Sequence, residues 1–248
     1  VRIASIGQRA SLAWLLAAAI SLAAAPSHAA TLRASPVMID LAAPAAASVV
    51  QLRNEGEAPV TVQARVFQWV QKDGREQLVP TRDVVASPPM AKLAPGADYT
   101  VRVVRVGRAP VKGQLSYRLL VDEIPDASKK RSGTVSFVLR QSIPVFISSP
   151  EASLPSVKWR ASLKGRTLSL IATNTGDRRL KLSQLKVSTG KGKTIVSRPG
   201  LAGYVLGKSS MRWDFPLPAK AVAAGSAITI AADSEAGAFH AKTTVENR

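Results

Sequence analysis

Thr134–Ile147, TVSFVLRQSIPVFI, is the stretch on which the reading of this chain turns. Successive side chains of an extended strand point to opposite faces. Val135, Phe137 and Leu139 therefore share one face, and Ser136, Val138 and Arg140 share the other. The run stays strongly apolar to Ile147 and stops at Ser148-Ser149-Pro150. An ordinary core strand has the same pattern, so by itself the run establishes a strand and nothing more.

The flanking sequence is of the same kind. Val49, Leu52, Val60, Val62 and Val66 fall in short runs, Thr100–Val106 alternates about Val101 and Val103, and Leu168, Leu170, Ala172, Ile228 and Ile230 repeat the pattern downstream. Strand length and β-branched content mark these as strands. Turn signals separate them: Asn54-Glu55-Gly56-Glu57, Lys72-Asp73-Gly74, Ala94-Pro95-Gly96, Asn174-Thr175-Gly176-Asp177 and Lys191-Gly192-Lys193, each built from residues that favour tight or left-handed backbone. Many short strands with regular turns point to an all-β sandwich or barrel. The boundary between two domains is expected at Ser148-Ser149-Pro150, giving 30–149 and 150–248. Leu52–Glu57 and Ala172–Asp177 echo each other, each joining an apolar strand to an Asn-x-Gly turn. Either a duplicated fold or two unrelated β-turns produces such an echo.

The first residues follow a different pattern. Arg2 and Arg9 precede an apolar stretch from Leu12 to Ala25, which Pro26 breaks before Ser27-His28-Ala29. This is the pattern of a secretory signal peptide, with cleavage expected after Ala29 and residues 1–29 removed. The apolar stretch is short for a membrane span, which needs about 20 residues.

Composition excludes several classes. There is no cysteine, so thiolate metal sites and cysteine nucleophiles are absent and the cores must hold without disulfides. Beyond residue 29 the one histidine is His240, too little for an imidazole metal site or a serine–histidine pair, and no nucleophile-elbow pattern accompanies it. Asp122-Glu123 are neighbours on a strand and face opposite ways, so they form no acid–base dyad. Gly190-Lys191-Gly192-Lys193 lacks the spacing of a phosphate-binding loop. No enzyme, metal or cofactor is expected. The formal charge is +18, or +16 without Arg2 and Arg9. The cations are scattered singly rather than in a block, which argues against nucleic acid.

Three pieces of the first half, in this order, carry a resemblance: Ser87–Gly96, Tyr99–Arg102 and Tyr117–Pro125, followed by the long apolar strand. Ala202–Leu206, Trp213 and Thr229–Asp233 extend it more loosely into the second half. Together they resemble the periplasmic chaperones of the chaperone–usher pathway, which assemble pili, and most closely the archaic, spore-coat-like branch of that PapD-like family. The resemblance implies two immunoglobulin-like β-sandwich domains set at an angle in a boomerang shape. It implies pilin subunits and an outer-membrane usher as partners, a periplasmic location, and no nucleic acid or stable membrane insertion.

It also implies site residues. The last strand of the first domain would be lent to an incomplete subunit, with Val135, Phe137 and Leu139 as the donors; a lent strand of this kind is a known form of β-strand addition. Arg102, Glu123 and Asp233 would form an interdomain charge cluster. Many members anchor the subunit's terminal carboxylate with an arginine on the first strand and a lysine on the donor strand, where this sequence has Pro36 and Pro144. Arg102, Arg105 and Arg118 are the remaining candidates for that anchor, since a guanidinium binds a carboxylate through two hydrogen bonds. The competing functions are a two-domain adhesin or surface structural protein, with the same β pattern and no lent strand, and an exported hydrolase dependent on His240.

Overall fold

A computed structural model describes residues 32–125 and 138–247, and no helix occurs among them. In chain order the first ten strands are β1 (Leu32–Ser35), β2 (Ile39–Ala42), β3 (Ala47–Asn54), β4 (Val60–Lys72), β5 (Arg75–Pro80), β6 (Val84–Ser87), β7 (Met90–Leu93), β8 (Asp98–Arg105), β9 (Gln114–Ile124) and β10 (Arg140–Ser148). They make two sheets, ordered β1-β3-β8-β6 and β2-β10-β9-β4-β5, with β7 paired to the first residues of β4. Alternate residues face inward from both sheets. Val50, Leu52, Val101 and Val103 meet Val62, Ala64, Leu119, Val121, Ile143, Val145 and Ile147 in one buried core. Each such valine, leucine or isoleucine side chain contributes about 1.5–3 kcal/mol of apolar transfer.

The second sandwich is built from β11 (Val157–Lys164), β12 (Thr167–Asn174), β13 (Leu180–Thr189), β14 (Thr194–Val205), β15 (Ser209–Pro216), β16 (Ala227–Ser234) and β17 (Gly237–Asn247). Its ladder runs β14-β13-β16-β17-β11-β12-β15. The ladder folds on itself at β17, which is antiparallel to β16 and parallel to β11. Trp159, Leu168, Leu170 and Trp213 from one half then pack on Leu182, Val187, Ile228 and Ile230 from the other. Trp159 and Trp213 stack with ring centroids 5.9 Å apart, and Trp213 Nε1 donates to the Ala202 carbonyl at 3.0 Å. The all-β fold of two sandwiches agrees with the strand pattern of the sequence.

The Asn-x-Gly echo has a physical content that the sequence alone did not reveal. Asn54 and Asn174 are both buried at the ends of β3 and β12. Asn54 Nδ2 donates to the carbonyls of Ala58, Leu93 and Ala94, and its Oδ1 accepts from the Gly56 N–H at 3.0 Å. Asn174 Nδ2 donates to the carbonyls of Arg178 and Val205, while its Oδ1 accepts from the N–H groups of Gly176 and Ser156. In both sandwiches one amide fills the turn that follows the strand, because buried backbone groups there need partners.

The Lys72-Asp73-Gly74 signal marks the β4–β5 hairpin. Asp73 and Gly74 both have positive φ, 54° and 74°, as the favoured two-residue hairpin turn requires. This tip reaches the second sandwich: the Gly74 carbonyl accepts from the Arg212 N–H at 2.9 Å. A Cβ on Gly74 would lie 2.8 Å from the Cβ of Arg212, so glycine is needed here for close approach as well as for φ.

Candidate functional site

β10 is paired unequally on its two sides. β9 runs antiparallel to all of it, from Arg140↔Asp122 to Ser148↔Gln114. On the other side β2 pairs in parallel with Val145–Ser148 only. Arg140–Pro144 therefore carry a ladder on one side, and their other edge is unpaired among the described residues. Such an edge presents free N–H and C=O groups to any extended chain of suitable sequence. Leu139 continues the pairing inward, its carbonyl accepting from the Glu123 N–H at 2.9 Å. Its side chain is half-buried against the first core. Val135 and Phe137, the other two expected donors, lie outside the described residues.

The two faces of β10 have different surroundings. Ile143, Val145 and Ile147 enter the first core. Phe146 points the other way and joins Trp69, Tyr204 and Leu206, with Met38 beside them, in a separate buried cluster drawn from both sandwiches. Trp69 lies 5.8 Å from Phe146 and 5.2 Å from Tyr204, edge-on to the latter; aromatic pairs of this geometry add about 0.5–1.5 kcal/mol each beyond their burial. Gln71 ties the same corner together, donating to the Tyr204 carbonyl at 2.8 Å and accepting from the Leu206 N–H at 2.9 Å.

Arg118 is the charged element of this corner. It sits on β9 in register between Pro144 of β10 and Phe67 of β4. Its guanidinium lies 3.7 Å from the Trp69 ring centroid and 5.7 Å from that of Tyr204. Burial pulls its pKa below the usual arginine value, opposed by the charge of Glu76. Burial likewise raises the Glu76 carboxyl, opposed by Arg118. No carboxylate reaches ion-pair distance of Arg118 among the described residues. An arginine does not deprotonate in proteins, so Arg118 is a largely buried cation satisfied by ring faces.

The other two anchor candidates stand elsewhere. Arg105 is already engaged: its side chain is 12% exposed, its Nε lies 3.4 Å from Asp83, and its Nη2 donates to the Ala109 carbonyl at 2.7 Å. Tyr117 also donates to Asp83; burial first, then that hydrogen bond, push its pKa well above the usual tyrosine value. Arg102 is exposed on β8, in the sheet that does not contain β10.

The expected Arg102–Glu123–Asp233 cluster is not assembled. Arg102 and Glu123 belong to opposite sheets of the first sandwich and Asp233 to β16 of the second, and no ion pair joins any two of them among the described residues. The charge link between the sandwiches is Arg179, whose side chain is 5% exposed. Its Nη2 donates to Asp40 of the first sandwich at 2.7 Å and to Glu235 of the second at 2.9 Å. The guanidinium lies 3.8 Å from the Phe146 ring centroid, and the Arg179 N–H donates to Gln114 Oε1 at 2.9 Å. The turn before Arg179 was legible in the sequence, but nothing there marks this arginine as turned inward.

A second cluster flanks the open part of β10. Asp122 accepts from Arg140 and, at 2.6 Å, from Arg65. Burial alone would raise its pKa; the two hydrogen bonds and the two positive charges outweigh that, so it is lowered. Gln63, Glu123, Ile124, Val138 and Leu139 complete a shallow pocket here. His240 is exposed on β17, and among the described residues no group of histidines and carboxylates is arranged to hold a metal ion.

Residues 31–152 match the family model for the pili and flagellar-assembly chaperone, PapD N-terminal domain. The first domain belongs to the PapD-like family of pilus-assembly chaperones. Among solved structures, the chain is similar to one from the CsuC–CsuE chaperone–tip adhesion subunit pre-assembly complex of the archaic chaperone–usher Csu pili of Acinetobacter baumannii. The two are 26% identical with a TM-score of 0.68, over 87% of this chain and 99% of that one. The Escherichia coli chaperone DraB shares the fold at 21% identity and a TM-score of 0.54, over 85% and 97% of the two chains. A chain of the SafA pilin–SafB chaperone complex of Salmonella enterica does so at 15% identity and 0.58, over 87% and 97%. By sequence, no curated protein matches. Family membership makes the chain a chaperone rather than an enzyme. The family is one of periplasmic chaperones, and no helix among the described residues is long and apolar enough to cross a membrane.

Proposed function

We propose that this chaperone binds pilin subunits by lending them the strand that ends in β10, and passes them to an outer-membrane usher. The observation that carries this reading is the half-open ladder of β10: Arg140–Pro144 paired by β9 and, among the described residues, left free on the other edge. A subunit lacking one strand exposes a groove and unpaired backbone groups, and an extended donor satisfies both. Val135, Phe137 and Leu139 supply the alternating apolar side chains for that groove. Arg118 is the best placed of the three arginines to receive the subunit's terminal carboxylate. It lies across from Pro144, it is partly stripped of water, and no carboxylate of the chain pairs with it among the described residues. Arg179, with Asp40 and Glu235, holds the two domains in a fixed relation. The chain divides into a leader over 1–29, removed on export to the periplasm, and domains over 30–149 and 150–248.

The test is co-expression with a pilin subunit from the same source, measuring soluble subunit and the one-to-one complex. A Phe137→Asp, Leu139→Asp double variant is expected to lose the complex, and Arg118→Ala to weaken it at least tenfold. Full protection of the subunit by the double variant would sink the lent-strand reading.

A further inference from the structure

The last strand of the second sandwich repeats the half-open arrangement of β10. β16 pairs with β17 along Gly237–Thr244, and β11 pairs with β17 only at Val245–Asn247. Gly237–Lys242 thus carry a ladder on one side among the described residues, and β11 closes the edge from Thr243 onward, where Thr243 Oγ1 donates to the Trp159 carbonyl at 3.2 Å. The Val245 N–H donates to the Ser226 carbonyl at 2.9 Å, on the β16 side. In an antiparallel pair, alternate residues turn their backbone groups toward the partner. The odd-numbered residues of β17 therefore bond to β16, and Ala238, His240 and Lys242 turn their N–H and C=O groups to the open edge. Phe239 and Ala241 pack into the core, while His240, Lys242 and Thr244 are exposed.

Positive charge predominates around this edge. His240 lies in register with Ala231 of β16 and, beyond it, with Lys186 of β13. Lys158 and Arg160 are exposed on β11. None of Lys158, Arg160, Lys186 and Lys242 takes part in an ion pair among the described residues. By contrast, Arg33, Arg53, Arg65, Arg105, Arg140, Arg179, Lys208 and Arg212 all do. The nearby carboxylates, Asp233 and Glu246, sit at the two ends of the strand pair. Residues 150–248 hold 16 lysines and arginines against 6 aspartates and glutamates.

We propose that the open edge of β17 is a second strand-addition site, which takes an extended acidic segment of a partner polypeptide. The backbone groups of Ala238, His240 and Lys242 supply the ladder, and Lys158, Arg160, Lys186 and Lys242 supply the attraction. A second copy of this chain is the poorer occupant, since pairing two such edges brings like charges together.

The probe is a fluorescein-labelled peptide of alternating valine and glutamate, eight residues long, with a valine–lysine peptide as control. Binding to the full chain is followed by anisotropy and located by backbone amide NMR shifts. The acidic peptide is expected to bind, to weaken as salt rises, and to shift the amides of residues 238, 240 and 242; the basic peptide is expected not to bind. His240→Pro removes an outward N–H while leaving the ladder to β16 intact, as proline is tolerated only at such edge positions. It is expected to weaken binding at least tenfold, as is Lys242→Glu, which keeps every backbone group. Retained peptide affinity in a folded His240→Pro variant, shifts confined to β10, or self-association of the parent through β17 would each overturn the proposal.

Discussion

β10 and β17 close their sandwiches by the same plan and meet different surroundings. Each is antiparallel to the strand before it and parallel, over its last few residues, to a strand from the start of its own sandwich. In β10 the residues turned away from the core, Pro144 and Phe146, are both buried, Phe146 against Tyr204 and Leu206 of the second sandwich. In β17 the positions that correspond when the two parallel pairings are aligned, Thr244 and Glu246, are exposed. The turns after β3 and β12 diverge in the same way. Asn54 fills a turn whose Glu55 and Glu57 are exposed. Asn174 fills one that is pressed on the connecting segment: Asp177 and Arg178 donate to the Ser153 carbonyl, and a Cβ on Gly176 would lie 2.0 Å from the Leu154 carbonyl oxygen. A repeated fold thus supplies two equivalent strands and two equivalent turns. In each pair, one member has been taken up by the contact between the sandwiches.

If that contact is what separates the two copies, its removal should make them behave alike. Trp69→Ala empties the aromatic cluster and should have the largest effect, about 3–5 kcal/mol for a buried tryptophan. Calorimetry should then resolve two unfolding transitions, against a single one expected for the parent. A single surviving transition would mean the sandwiches are coupled by something other than this cluster. The paired asparagines come next. Each makes four hydrogen bonds, so Asn54→Ala and Asn174→Ala should each cost about 2–3 kcal/mol through buried groups left unpaired, read as shifts of the denaturant midpoint at constant slope. Asn174→Ala should in addition expose the 149–156 segment to proteolysis, and Asn54→Ala should not. Arg179→Ala should cost less, about 1–2 kcal/mol. Asp40 and Glu235 are 45% and 41% exposed and regain water when the arginine is gone. Its clearer readout is a broadened distribution of distances between spin labels on the two sandwiches.

The fold was legible in the sequence because its signals are local. Alternation in Thr100–Val106 and the turn at Asp73-Gly74 each need only a few consecutive residues to be read. The half-open edge of β10 was legible through family resemblance, since an unpaired ladder leaves no mark in the strand that bears it. What stayed hidden is made of contacts between distant residues. Phe146 looks like one more apolar residue in a strand, yet the second sandwich turns it from surface into core. Arg179 sits in a charged turn, Asp177-Arg178-Arg179, and only the docking of Asp40 and Phe146 makes it an internal arginine. Arg105 had the same standing in the sequence as Arg118. The difference is Asp83, 22 residues earlier, which occupies Arg105, while Arg118 has no ion-pair partner among the described residues.

The smallest effect separates the two sandwiches at the level of single carboxylates. Asp122, beside the open part of β10, and Asp214, on β15, are both held below the usual carboxylate range, against burial that would raise them. Asp122 is held by Arg140 and Arg65, and Asp214 by Ser169 and Arg212. A carboxyl lowered in the folded state stabilises the fold at pH above its unfolded value of about 3.9, and that contribution fades as pH falls through the lowered value. Arg140→Ala removes one guanidinium from Asp122 and leaves its burial less opposed. In a carbon-detected NMR titration the Asp122 midpoint should therefore move up while that of Asp214 stays fixed, and the acid limb of the stability curve should begin at higher pH. A midpoint of Asp122 unmoved by the substitution would mean that Arg65 alone holds it, and that Arg140 is free at the edge where an incoming strand would meet it.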